Sequence, residues 1–181
     1  RLLRSSSDRI LLNCCRQSGK STMAAILALH TALYQPGSLV LLLSPALRQS
    51  QELFRKVLAT YRVLAQSVPA ETETKLTLEL EGGSRIVSLP GKESTIFSAV
   101  RLLVVDEAAR VPDELYYSVR PMLAVSGGRL IALSTPFGTR GWWYEAWRSP
   151  DPWERFEVPA AECPRIPAAF LEEERRNLGE W

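Results

Sequence analysis

A glycine, a lysine and a hydroxyl in immediate succession can hold a phosphate when a strand precedes them and a helix follows. Such a run stands near the start of this chain: Cys14-Cys15-Arg16-Gln17-Ser18-Gly19-Lys20-Ser21. It matches the G-x-x-x-x-G-K-[ST] phosphate loop except that Cys14 replaces the first glycine. Gly19 lets the backbone bend, so that the N–H groups of Cys15 to Lys20 converge into an anion nest at a helix N-terminus. Lys20 then reaches the β- and γ-phosphates of a nucleoside triphosphate, and the Ser21 hydroxyl suits Mg²⁺. Thr22 adds a hydroxyl on the α-phosphate side. A chance Gly-Lys-Ser at a helix start has the same letters, and only the strand–loop–helix setting separates the two. Cys14 and Cys15 fit as small packed residues rather than as nucleophiles.

Two further groups belong to the same chemistry. Leu102-Leu103-Val104-Val105 ends in Asp106-Glu107. Carboxylates at the C-terminal end of a buried strand lie where open α/β sheets bind ligands. Asp106 fits a Mg²⁺-holding role beside Ser21, and Glu107 could polarise a water attacking the γ-phosphate. A strand can equally end in plain solvated acids, so the pair gains its meaning from the phosphate loop upstream. Ser134-Thr135-Pro136 closes another apolar run. Its two hydroxyls, fixed by the proline, could touch the γ-phosphate or the water; an ordinary Ser/Thr-Pro turn has the same letters.

These residues need a scaffold, and its pattern is written in four short apolar runs: 10–12, 39–43, 102–105 and 130–133. None alternates polar with apolar, which suits strands buried on both faces of a parallel sheet. Between them lie helical spacings over 20–34, 46–66 and 112–124. Alternating strands and helices imply an α/β layered domain with right-handed crossovers. Lys75 to Leu80 alternates strictly, Glu81-Gly82-Gly83-Ser84 turns, and Arg85 to Leu89 follows, which predicts an antiparallel hairpin with one exposed face. Frequent prolines after 149 predict an extended wrap over 149–167 before a helix at 168–178.

The whole chain has 181 residues, 46% of them hydrophobic and 23% charged, enough for one domain with its own core. Its net charge of +2 is unevenly spread: residues 1–140 carry 17 basic and 11 acidic side chains, residues 141–181 carry 5 and 9. A basic body is compatible with nucleic-acid contact without demanding it. The longest aliphatic run is far short of the ~18–20 residues of a membrane span. Three cysteines without a CxxC pair and a single histidine, His30, exclude a disulfide framework and a Cys/His zinc cage. The chain opens on Arg1 and stops at Trp181, which reads as a piece of something longer, cytosolic in character.

Together these elements resemble the ATPase domain of the large terminase subunit, the genome-packaging motor of tailed phages and prophages. The resemblance rests on Cys15-Arg16-Gln17-Ser18-Gly19-Lys20-Ser21-Thr22 as a deviant Walker A motif. It continues through Leu47 to Phe54, through Val105-Asp106-Glu107-Ala108-Ala109-Arg110 as Walker B, and through the coupling motif Ser134-Thr135-Pro136 with its continuation Phe137 to Trp147. It implies a P-loop NTPase of the ASCE/RecA-like kind: a three-layer αβα sandwich with a mainly parallel sheet plus a β-hairpin. The core would span 1–148, and 149–181 would lead toward a nuclease domain that the sequence does not include. The resemblance further implies ATP and Mg²⁺ as cofactors. Glu107, Arg16 and Lys20 would be catalytic, with Arg16 acting in cis on the phosphates, and Arg48 and Gln49 would link nucleotide state to DNA grip. The implied work is packing double-stranded DNA into a procapsid. Implied partners are a portal protein, a small terminase subunit, the procapsid and further copies in a homo-oligomeric ring. The implied place is the host cytoplasm, with transient docking on the portal and no membrane.

The sequence departs from that family in two respects. The adenine-recognition segment would lie upstream of Arg1, and no Arg-Gly pair stands near Ile96-Phe97, where an arginine acting in trans would be expected. The alternatives are a DExx-type helicase core, which needs a second core domain, and a nucleotide-binding module without hydrolysis. Intact Lys20, Ser21, Asp106 and Glu107 speak against the latter.

Overall fold

The protein is described by a computed structural model over residues 2–64, 68–90 and 99–178. The apolar runs are strands: β1 (Arg9–Cys14), β2 (Leu39–Ser44), β6 (Val100–Asp106) and β7 (Arg129–Ser134). Between them stand β3 (Ala70–Glu73), β4 (Thr77–Leu80) and β5 (Arg85–Pro90), and β8 (Glu154–Val158) follows. They form one eight-stranded sheet in the order β3-β4-β5-β2-β6-β7-β1-β8. Every pairing from β5 to β8 is parallel, and β3, β4 and β5 meander antiparallel. The hairpin is therefore β4–β5, and it is no separate flap: β5 also pairs in parallel with β2 from Leu39↔Arg85 to Ser44↔Pro90.

Alternate residues of each strand feed opposite faces, as the two-residue period requires. Ile10, Leu12, Val40, Leu42, Leu102, Val104, Ile131 and Leu133 pack against α1 (Lys20–Tyr34) and α2 (Leu47–Val63). Leu11, Leu41, Leu43, Leu103, Val105, Leu130 and Ala132 pack on the other side with Tyr116, Trp142, Trp143 and Trp153. Each such aliphatic side chain contributes about 1.5–3 kcal/mol on burial, and this two-sided core makes the sheet rigid. Helix α1 meets the sheet through Ala24, Ala25 and Ala28, small residues that let its backbone approach closely.

The remaining helices are α3 (Asp113–Val119), α4 (Gly141–Arg148) and α5 (Ala168–Leu178). The helical spacing over 112–124 breaks at Pro121, which has no N–H to donate; the chain tightens to a 3₁₀ turn at Arg120–Leu123. Helix α4 begins where Asp113 Oδ1 accepts the backbone N–H of Trp142 at 2.9 Å, a cap supplied from another element. Trp142 stacks on Tyr116 at 3.8 Å with an interplanar angle of 3°. The wrap expected over 149–167 contains β8, which pairs in parallel with β1 from Ile10↔Glu154 to Cys14↔Val158. The position near Ile96-Phe97 lies outside the described residues. No helix of the described chain is long and apolar enough to cross a membrane.

Candidate active site

Because β1, β6 and β7 run parallel, their C-terminal ends meet at one edge of the sheet. Register aligns Asn13 with Ser134 and Asp106 with Leu133, so the three sequence motifs converge there. The phosphate loop leaves β1, and Cys15 N–H donates to Val158 O at 2.9 Å, tying the loop's entry to β8. Gly19 takes a left-handed conformation at φ 86°, which glycine adopts without strain, and α1 starts at Lys20. Gln17 (φ 60°) and Glu107 (φ 49°) are also left-handed although neither is glycine. Backbone of that kind costs energy and concentrates at functional sites.

The two acids face different surroundings. Asp106 accepts the Ser21 hydroxyl at 3.1 Å and the Glu107 backbone N–H at 3.1 Å. It is 5% exposed. Burial pushes its carboxyl above the usual aspartate range and the neighbouring Glu107 charge adds to this, while Ser21 and Lys20 pull the other way. Glu107 points outward instead, with Oε1 3.2 Å from Lys20 Nζ and Oε2 accepting Thr135 Oγ1 at 3.4 Å. Arg16, Gln17, Lys20, Gln49, Glu107, Arg110 and Thr135 line one cleft of about 380 Å³.

That cleft sorts the expected site residues. Arg16 and Gln17 are exposed on its rim, and Thr22 is exposed on the first turn of α1. Cys15 is half-buried, and burial raises its thiol. Cys14, in the place of the missing glycine, is buried in the core on the α1 side, and burial raises its thiol too. Of the two coupling hydroxyls only Thr135 faces the cleft. Ser134 is wholly buried: it accepts the Ala109 N–H at 3.1 Å and donates to Thr135 O at 2.8 Å. It therefore splices the turn after Glu107 to the end of β7, and Pro136 beyond it is exposed. Arg110 is the residue with no role assigned from sequence. Its guanidinium lies in the cleft and stacks 4.0 Å above the Phe137 ring, joining the acidic turn to the segment after β7.

The residues present fit a nucleotide and its cation. Ser18 Oγ lies buried in the loop without a protein hydrogen-bond partner, as a group that serves a phosphate would. A hydroxyl and a carboxylate 3.1 Å apart at Ser21 and Asp106 make the hard oxygen donor set that Mg²⁺ prefers.

A parallel sheet with a phosphate loop at the end of one strand and an acidic pair at the end of another defines a class, the P-loop NTPase-like α/β domains. Within it, the family model described as RNA cytidine acetyltransferase NAT10/TcmA, helicase domain, matches residues 11–137, and the chain belongs to that helicase-domain family. The matched span runs from β1 to Phe137 and so takes in all three motifs. Among curated proteins, the large terminase subunit of Thermus virus P23-45 is 29% identical over 164 residues, covering 78% of this chain. The chain spans about a third of that relative's length, 33%. Among solved structures, the large terminase ATPase domain of Thermus phage P74-26 superposes with a TM-score of 0.85 at 22% identity, covering 98% of this chain and 86% of its own. The large terminase of another thermophilic bacteriophage, in complex with ATP-gamma-S, does so with a TM-score of 0.73 at 15% identity, covering 96% of this chain and 46% of its own. The fold is that of the terminase ATPase domain, as the sequence motifs imply.

Proposed function

We propose that this chain hydrolyses ATP as the motor domain of a large terminase, driving double-stranded DNA into a procapsid. The observation that carries the hydrolytic part is Glu107, held between Lys20 at 3.2 Å and Thr135 at 3.4 Å in an open cleft beside the Ser21–Asp106 pair. A site built only to hold nucleotide has no use for a second, outward-facing carboxylate. The terminase part is supported by the relatives named above, both by sequence and by fold.

In this reading the backbone of the Cys15–Gly19 loop binds the β-phosphate, and Lys20 exchanges Glu107 for the β- and γ-phosphate oxygens. Glu107, so released, accepts a proton from the attacking water, with Thr135 orienting its carboxylate through Oε2. Arg16 and Arg110, on the cleft wall, stabilise charge on the γ-phosphate oxygens. Ser21 and Asp106 would hold Mg²⁺, which when bound would supply positive charge to offset that of the triphosphate. Loss of the γ-phosphate reverses these contacts. Thr135, Ser134 and the Arg110–Phe137 stack then pass the change to the segment after β7. The basic surplus of the body supports sequence-independent contact with DNA phosphates. A portal protein, a small terminase subunit, a procapsid and a ring of identical copies are the partners, assembled in the host cytoplasm.

A strand-separating motor is the second reading, favoured by the helicase description of the family model. Two DNA substrates distinguish them when assayed with the natural protein that carries this chain. A packaging motor displaces a triplex-forming third strand from blunt duplex DNA in an ATP-dependent manner and leaves a forked duplex paired. Unwinding of the fork would replace the packaging reading with the helicase one.

A further inference from the structure

The segment after β8 folds back over the phosphate loop. Val158 O accepts Cys15 N–H at 2.9 Å. Cys163, 5% exposed, buries its thiol within this segment. Two residues further on, the Arg165 guanidinium lies 3.8 Å from the point that a Cβ on Gly19 would occupy. Gly19 leaves that space open, and among the described residues Arg165 has no carboxylate within ion-pairing distance. A guanidinium that lies exposed beside an anion nest is placed for an anion.

The sheet order decides which part of the anion it meets. β1 carries the loop, with β7 and β6 on one side and β8 on the other. Thr135 and Glu107, which face the γ-phosphate in the proposed mechanism, come from the β7–β6 side. Arg165 comes from the β8 side. We infer that Arg165 is a nucleotide-binding residue that clamps the α- and β-phosphates against the loop from the flank opposite Glu107. The inference rests on the nucleotide-hydrolysis reading and adds to it a residue outside the Walker and coupling motifs. Because ATP and ADP share these phosphates, Arg165 acts on both alike, unlike the groups facing the γ-phosphate.

The test is a calorimetric titration of Mg-ATP and Mg-ADP into the wild type, Arg165→Gln, Arg165→Lys and Lys20→Ala, with Tm measured for each. A lost charge-assisted hydrogen bond to phosphate predicts that Arg165→Gln weakens both nucleotides by about tenfold or more. Arg165→Lys should recover part of that loss, and steady-state rates should show the defect mainly in KM rather than kcat. Unchanged affinities, a loss confined to ATP, or a loss matched by a fall in Tm that Arg165→Lys does not repair would each overturn the assignment. Failure of the underlying reading has a different signature: the wild type binds neither nucleotide, or Lys20→Ala binds as well as the wild type. That result would remove Arg165's role with it.

Discussion

Replacing Glu107 with glutamine should tighten ATP binding while stopping hydrolysis. Lys20 Nζ sits 3.2 Å from Glu107 Oε1, and that contact must be given up before the lysine can serve phosphate. At 3.2 Å and an effective dielectric of about 20 the bare attraction is about 5 kcal/mol. Most of it is cancelled by desolvation, since the two side chains are only 8% and 22% exposed. A net of about 1 kcal/mol remains, comparable to a single protein hydrogen bond. Glu107→Gln keeps the shape and removes the charge, so the dissociation constant for ATP should fall by about fivefold. The same variant loses its proton acceptor, a contribution of about 10²–10⁴ in rate. Equilibrium titration with a fluorescent ATP analogue and single-turnover hydrolysis measure the two effects. Weaker binding in Glu107→Gln, or hydrolysis within a few-fold of wild type, would refute both the pairing with Lys20 and the catalytic role.

Other consequences can be measured as readily. Ser134→Ala strands the half-buried Ala109 N–H, a loss of about 1–3 kcal/mol that should lower Tm by roughly 2–10 °C in a thermal melt. Combined with Thr135→Ala, it should leave single-turnover cleavage partly intact but reduce DNA moved per ATP in a packaging assay; an unchanged ratio would remove the coupling role. Asp106→Asn should raise the Tm of the protein assayed without nucleotide while abolishing Mg-dependent hydrolysis. The sign follows from linkage. Burial raises the Asp106 carboxyl in the folded state, so its stabilising effect is full below the unfolded pKa and is lost as pH rises through the folded one. The Tm gain of the asparagine variant should therefore be present at pH 7 and vanish in acid. Gly128→Ala should cost on the order of 3 kcal/mol or more, seen as a loss of folded yield, because its Cβ would lie 2.1 Å from Val100 O.

What the sequence revealed follows from how each element is buried. β1, β2, β6 and β7 are covered on both faces, so each needs an unbroken apolar run, and such runs are visible without structure. β4 alternates in burial and in polarity alike. β8 and β3 are edge strands: Glu154 to Val158 and Ala70 to Glu73 are half-buried or exposed, so they carry charged residues and no apolar run marks them. Helix α4 takes its cap from Asp113, 29 positions upstream, a distance over which local pattern carries no signal. The candidate site was legible as a grouping: Gly19, Lys20, Ser21 and Asp106, expected together from their types and order, do meet at one edge of the sheet. The division of labour was not. Ser134 and Thr135 read as equivalent hydroxyls until the pleat turns one into the core and the other into the cleft. Arg110 stands within the Walker B run, but its contact with Phe137 depends on the meeting of two strand ends. Arg165 comes from a proline-bounded loop that nothing in the sequence links to Gly19.

The central claim is that the cleft between Lys20, Glu107 and Thr135 cleaves the γ-phosphate of ATP. The most direct measurement is a single-turnover time course of γ-phosphate release by this chain in excess over labelled ATP, with and without Mg²⁺, beside Lys20→Ala. The account predicts release that requires Mg²⁺ and disappears in Lys20→Ala. Bound ATP that stays intact in the wild type, or release that persists without Lys20, would contradict it.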